Sequence, residues 1–108
     1  MDEWELTYKR LVATFEQQEF NGSVKFAMDN GRNVVIVGSG GEISAAEDSD
    51  AETQTELKMT MSDAVKIVNR KLSPAKAIMT MRLKVRGDMS QAMRIAGYFK
   101  TPLPEHLA

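Results

Sequence analysis

The chain has 108 residues, 43% apolar and 27% charged, with a formal net charge of -1; it is sized for one self-supporting core and has no global attraction to nucleic acid or anionic membrane. It contains no cysteine, which removes disulfides and thiolate chemistry and suits a reducing, cytoplasmic setting. No apolar run approaches the roughly 18 residues of a spanning helix, so stable membrane insertion is not expected, and Met1-Asp2-Glu3 carries the wrong charge for a leader peptide.

Residues 2–19 set Trp4, Tyr8, Leu11 and Phe15 at steps of three and four, with Val12 widening the stripe, and predict an amphipathic helix lying on a core. Asp2, Glu3 and Glu5 suit its positive N-terminal end, and its polar face lacks the Lys and Arg enrichment of a membrane-surface helix. Asn21-Gly22 breaks it. A hairpin over 23–38 follows, with Asn30-Gly31 as a two-residue turn. That turn sets Phe26 opposite Val35 and Val24 opposite Val37, and leaves Ala27, Val34 and Ile36 on the other face to be covered by the N-terminal helix, by the C-terminal tail, or by a second copy or partner protein.

Gly38-Ser39-Gly40-Gly41 is a flexible turn without the lysine and following helix of a phosphate-binding loop. A strand over 42–46 leads into an acidic loop, Glu47 to Glu52, which lacks the spacing of a calcium loop; no metal site is expected. A strand over 53–61 turns Leu57, Met59 and Met61 inward. Thr60 or Ser62 caps a helix over 63–72 whose face is Ala64, Val65, Val68 and Leu72, with Ile67 at its edge. Ser73 caps and Pro74 opens a short helix over 74–79. A strand over 81–86 then alternates Met81, Leu83 and Val85 with Arg82, Lys84 and Arg86. Asp88, with Gln91 three positions later, opens a helix over 89–99 whose face is Met89, Ala92, Met93, Ala96 and Phe99. The tail over 100–108, interrupted by Pro102 and Pro104, crosses the surface.

The chemical inventory is sparse. The one histidine, His106, lies in the tail, and no serine or threonine has a base at a spacing that would join them, so neither a catalytic residue nor a cofactor is expected. The basic row Arg82, Lys84, Arg86 has no aromatic residues interleaved to stack on bases, which argues against nucleic acid and for the solvated side of an edge strand. Charge is segregated: Glu42 to Glu56 holds only acids, whereas Val65 to Lys100 holds bases with Asp88 the sole acid. The predicted inner faces gather Met59, Met61, Met79, Met81, Met89 and Met93, a side chain that repacks readily around irregular apolar guests.

Four segments in order, Gly22-Ser23-Val24-Lys25-Phe26, Leu57-Lys58-Met59-Thr60-Met61-Ser62-Asp63, Lys71-Leu72-Ser73-Pro74 with Ala77-Ile78-Met79, and Leu83-Lys84-Val85-Arg86-Gly87-Asp88, make the chain resemble the sterol carrier protein type two domain family over about residues 20–99. The resemblance implies an α+β fold: a five-stranded, mostly antiparallel sheet with helices packed on one face, enclosing an apolar tunnel. It implies non-catalytic binding and transfer of a fatty acid, fatty acyl thioester or sterol-like lipid. On that fold Met59, Met61, Val65, Val68, Leu72 and Ile78 are expected on the tunnel wall. Met79, Leu83, Met93, Ala96 and Phe99 are expected to complete it. Two glycines usual in such domains are replaced here by Arg70 and Met81, and Asn33-Val34 holds the place of a usual aromatic residue. The alternative expectation is a ligand-free docking or dimerisation module of the same fold, its tunnel filled by its own methionines.

Overall fold

The computed structural model describes residues 1–108. Helix α1 (Glu3–Glu16) starts where Asp2 accepts a hydrogen bond from the Glu5 amide at 2.8 Å. It ends at Glu16 instead of 19 because Phe20 turns back into the core, 2% exposed and edge to face with Phe15 at 5.1 Å. The Phe20 carbonyl comes so close to the backbone at Gly38 that a Cβ there would lie 1.9 Å from it; only glycine fits.

Strands β1 (Gly22–Met28), β2 (Asn33–Ser39), β3 (Glu42–Glu47), β4 (Thr55–Met59) and β5 (Lys84–Gly87) form one sheet in the order β3-β2-β1-β4-β5. Only β1 and β4 run parallel, so the sheet is mostly antiparallel and the fold is α+β as expected. Helices α2 (Met61–Val68), α3 (Pro74–Met79) and α4 (Met89–Tyr98) join α1 over the face that carries Val24, Phe26, Leu57 and Met59. A 3-10 turn (Glu105–Leu107) ends the chain.

The hairpin corrects one expectation. Its loop is Asp29-Asn30-Gly31, closed by the Met28 amide donating to the Arg32 carbonyl at 2.9 Å, with Gly31 at φ +83°. The additional loop residue shifts the register by one, so Phe26 lies opposite Val34 and Val24 opposite Ile36. Val34 and Ile36 are therefore core residues, 1% and 0% exposed, and the expected partner seat of Ala27, Val34 and Ile36 does not exist. Ala27 shares the outer face with Val35 and Val37, in rows that include Lys25, Glu56, Lys58, Lys84 and Arg86.

The helix caps follow the sequence, although with Thr60 as the cap α2 begins at Met61 instead of 63, and Met61 leaves the expected strand over 53–61, which ends at Met59. Thr60 Oγ1 accepts from the Asp63 amide at 3.0 Å, Ser73 Oγ from Lys76 at 3.3 Å, and Asp88 Oδ1 from Gln91 at 3.0 Å. The stops do not. Helix α2 closes at Val68, not 72, because Arg70 takes φ +61° and the Arg70 and Lys71 amides donate back to Ile67 and Lys66 at 3.0 and 2.7 Å. Helix α3 closes the same way: Met81 takes φ +64°, and the Met81 and Arg82 amides donate to Ile78 and Ala77 at 3.2 and 2.9 Å. Met81 thus belongs to a helix stop rather than a strand, β5 begins at Lys84 rather than 81, and Met81 is exposed while Leu83 is buried. Both residues that replace the usual glycines stand in the left-handed conformation that glycine favours.

The acidic loop is tied down by charge. Arg32 bonds Asp48 at 2.8 Å and stacks on Trp4 at 4.2 Å, while Trp4 Nε1 donates to Glu47 at 2.6 Å. The Arg32 hydrogen bond, with help from the Asn33 amide, holds the Asp48 carboxyl below its ordinary range. No three acidic or histidine side chains gather as a metal site.

Candidate functional site

The space between the sheet and the helices is narrow. Two apolar voids of about 10 Å³ each lie side by side beneath the helices, each with room for about one water. Phe26, Met59 and Ile67 line both and form the partition between them. The first is otherwise walled by Leu57 and Leu83 from the sheet side, Pro74 and Ile78 of α3, and Ala92, Ile95, Ala96 and Phe99 at α4. The second reaches Leu11 of α1 and Ala64 and Val68 of α2, with Thr7 the only polar residue on either wall. Such walls have no acid, base or nucleophile to offer; they accommodate hydrocarbon.

The expected wall residues divide three ways. Met59, Val68, Ile78, Leu83, Ala96 and Phe99 line the voids. Met61, Val65 and Leu72 are half-buried at the margin. Met79 and Met93 face solvent, 80% and 43% exposed, as do Met81 and Met89 at 73% and 51%, so the expected methionine lining reduces to Met59 with Met28 beside it. Met79 is the last residue of a six-residue helix, and Met89 and Met93 lie along the edge of α4 beyond Ala96, outside the stripe Ala92, Ile95, Ala96, Phe99. On α2 the buried stripe is Ala64, Ile67, Val68, so Ile67 is central and Val65 marginal. Ile67, Ile95, Phe26 and Leu57 are among the wall residues outside that expectation, with Leu11, Met28, Ala64, Pro74 and Ala92; the i, i+3, i+4 spacing of Ala64-Ile67-Val68 and Ala92-Ile95-Ala96 was the available signal on the helices, and strand alternation for Phe26 and Leu57.

Behind the wall residue Phe99 stands Arg70, in the stop of α2. Its Nε donates to the Thr101 carbonyl at 2.9 Å and its two terminal nitrogens to the Val68 carbonyl and Thr14 Oγ1 at 3.0 Å each, and its guanidinium lies 5.3 Å from the Phe99 ring centre. One side chain therefore joins α1, the end of α2 and the tail, and its burial lowers the guanidinium pKa. Fully buried Thr55, bonded to Gln91, whose Nε2 donates to Gln54 at 3.0 Å, fastens the start of α4 to β4. Asp63, bonded to Arg82 at 2.6 Å, ties α2 to the end of α3. Between these fastenings α3 is short and held chiefly by Pro74, Ala77 and Ile78.

This geometry has counterparts. The model of the SCP-2 sterol transfer family matches residues 10–100. No curated protein matches the chain. Sterol carrier protein 2 from Aedes aegypti, in complex with the C16 fatty acid palmitate, is 14% identical with a TM-score of 0.71, over 92% of this chain and 96% of that one. Sterol carrier protein domain 2 of Helicoverpa armigera is 21% identical with a TM-score of 0.69, over 85% of this chain and 81% of that one. A stereoselective inverting sec-alkylsulfatase from Pseudomonas sp. is 16% identical with a TM-score of 0.61, over 83% of this chain but 14% of that one, so the chain spans a small part of that enzyme's length. At these identities the likeness to the solved structures is one of fold. The family match runs from the second half of α1 through the whole sheet to the end of α4, and the chain belongs to the SCP-2 sterol transfer family.

Proposed function

We propose that the chain binds an apolar lipid, of the fatty acid, fatty acyl thioester or sterol-like class, between the inner sheet face and α2, α3 and α4, and passes it on without making or breaking a bond. The observation that carries this reading is the pair of adjoining voids, divided only by Phe26, Met59 and Ile67 and walled almost entirely by carbon. Palmitate held by the Aedes aegypti relative supports the ligand class. Met59, Val68, Ile78, Leu83, Ala96 and Phe99 are the lining residues of this proposal, with Met61, Val65 and Leu72 at its margin.

Voids of about 10 Å³ admit no alkyl chain, so binding requires the wall to open, and α3, slung between the stops at Arg70 and Met81, is the element to move. A guest of about twelve carbons supplies about 10 kcal/mol at about 0.8 kcal/mol per methylene. Micromolar affinity needs about 8 kcal/mol, so opening and ordering must together cost no more than about 2 kcal/mol for that guest. Longer chains leave more to spare. Saturated fatty acids should therefore raise the melting temperature, and the rise should grow from octanoate to palmitate. No rise at any length would contradict the proposal.

The narrow interior favours one rival, a ligand-free module whose own Phe26, Met59 and Ile67 plug the space while it serves a partner protein. Native mass spectrometry after gentle purification separates the two: co-purified lipid supports the carrier, a guest-free complex with another protein the module.

A further inference from the structure

We propose that strand β3 is the seam of a two-fold dimer, in which a second copy of the chain pairs its own β3 antiparallel to this one and the two sheets run on as one. Strand β3 ends the sheet and pairs with β2 in an unbroken register, from Glu42 opposite Ser39 to Glu47 opposite Val34. The Asp48 amide donates to the Asn33 carbonyl at 2.9 Å, so it is Ala46, Ser44 and Glu42 that exchange backbone bonds with β2. The peptide groups of Ile43 and Ala45 therefore point away from the sheet, with no strand to receive them. Edges are ordinarily blunted by lysine, proline, a bulge or brevity. The other edge, β5, is four residues long and carries Lys84 and Arg86, whereas β3 has six residues and none of these devices.

Helix α1 favours a second copy over a lone peptide strand. Arg10 and Thr14 lie on the side of α1 turned to the end of α2, where Arg10 bonds Asn69 and Arg70 bonds Thr14. Trp4 bonds Glu47 of β3 at 2.6 Å, and at about 100° per residue Tyr8 and Val12 follow it round the helix on the side away from Arg10 and Thr14. Trp4, Tyr8 and Val12 thus flank the β3 edge, all half-buried, as are Ile43 and Ala45 on the inner face of β3. A peptide strand would satisfy the free backbone groups and leave this apolar flank in water; a second copy also brings its own α1 against it. The side chains choose the register. With the axis at Ser44, that residue faces the partner's Ser44, Ile43 lies beside the partner's Ala45, and Glu42 beside the partner's Ala46, so no like charges are opposed. An axis at Ala45 would instead set Ile43 against the partner's Glu47.

Sedimentation equilibrium without added lipid, from about 5 µM to about 1 mM chain, should show the mass rising from the 12.0 kDa monomer toward twice that, the seam being too small for a tighter dimer. The chain has no cysteine, so single cysteine variants read the register. Residues that face each other at the axis, outside the bonded pairs, have Cα atoms about 4.5 Å apart, within disulfide reach, whereas Ala46, also exposed, faces the partner's Glu42. Air oxidation should link Ser44→Cys into a dimer and leave Ala46→Cys about tenfold less linked. Ser44→Lys sets two ammonium groups face to face and should weaken dimerisation about tenfold or more, with the circular dichroism of the folded chain unchanged because side chain 44 is exposed. A chain still monomeric at the highest concentration would overturn the proposal. So would a dimer that Ser44→Lys leaves intact, or linkage of Ala46→Cys as ready as that of Ser44→Cys. Each readout is made without palmitate, so its failure leaves the interior lipid site standing.

Discussion

Arg70 and Met81 adopt the same left-handed backbone, φ +61° and +64°, yet glycine at the two positions should act in opposite directions. Relief of the left-handed conformation is worth about 1 kcal/mol after allowing for the more flexible unfolded chain. The Met81 side chain is 73% exposed, so Met81→Gly keeps nearly all of that gain and should raise the melting temperature by about 4 °C. Arg70 makes three hydrogen bonds, at 2.9, 3.0 and 3.0 Å, and stacks at 5.3 Å on Phe99. With its partial exposure, these bonds are worth about 1 kcal/mol each and the stacking about 0.5 kcal/mol. Setting the relief against these losses, Arg70→Gly should destabilise by about 2.5 kcal/mol. Urea unfolding of both variants beside the parent measures the difference. A stabilised Arg70→Gly, or two variants shifted the same way, would refute the idea that the arginine head group offsets its backbone strain.

Other expectations follow from single contacts. Gly38→Ala should leave little folded protein by circular dichroism, because its Cβ would meet the Phe20 carbonyl oxygen at 1.9 Å and neither strand nor helix exit can shift cheaply. Ala92→Leu pushes a larger side chain into the first void and should abolish the palmitate-induced rise in melting temperature, at a stability cost of about 1 to 3 kcal/mol. Asp48, held below its ordinary value of 3.8, contributes stability that is present above that value and lost as the pH falls through its lower folded pKa. The melting temperatures of the parent and Asp48→Asn should therefore differ slightly at neutral pH, the pair being exposed, and converge in acid.

What local chemistry decides was legible in the chain. Thr60, Ser73 with Pro74, and Asp88 announce three helix starts, and the four ordered segments from Gly22 to Asp88 point to the family and thereby to the mixed sheet. The rest depended on one-residue or tertiary effects. Asn30-Gly31 reads equally as the middle of a two-residue turn or the end of a three-residue one, and that single residue decides whether Val34 and Ile36 face the core or the solvent. Alternation through Met81, Leu83 and Val85 mimics a strand, but the Arg82 amide bonds back to Ala77 and the pattern is split between a helix stop and β5. Methionine content alone does not distinguish an inner wall from a flexible outer surface. Met59 and Met79 differ in burial because of where their elements end, which only the packed fold determines.

The central claim is that an oily guest lodges beside Met59. Methyl-labelled methionine resolves this directly by NMR, since Met59 and Met28 are buried while Met1, Met79, Met81, Met89 and Met93 are exposed. Titration with palmitate should shift the Met59 methyl saturably, with Met28 following and Met1 unmoved. A Met59 signal unchanged at saturating palmitate would contradict the account.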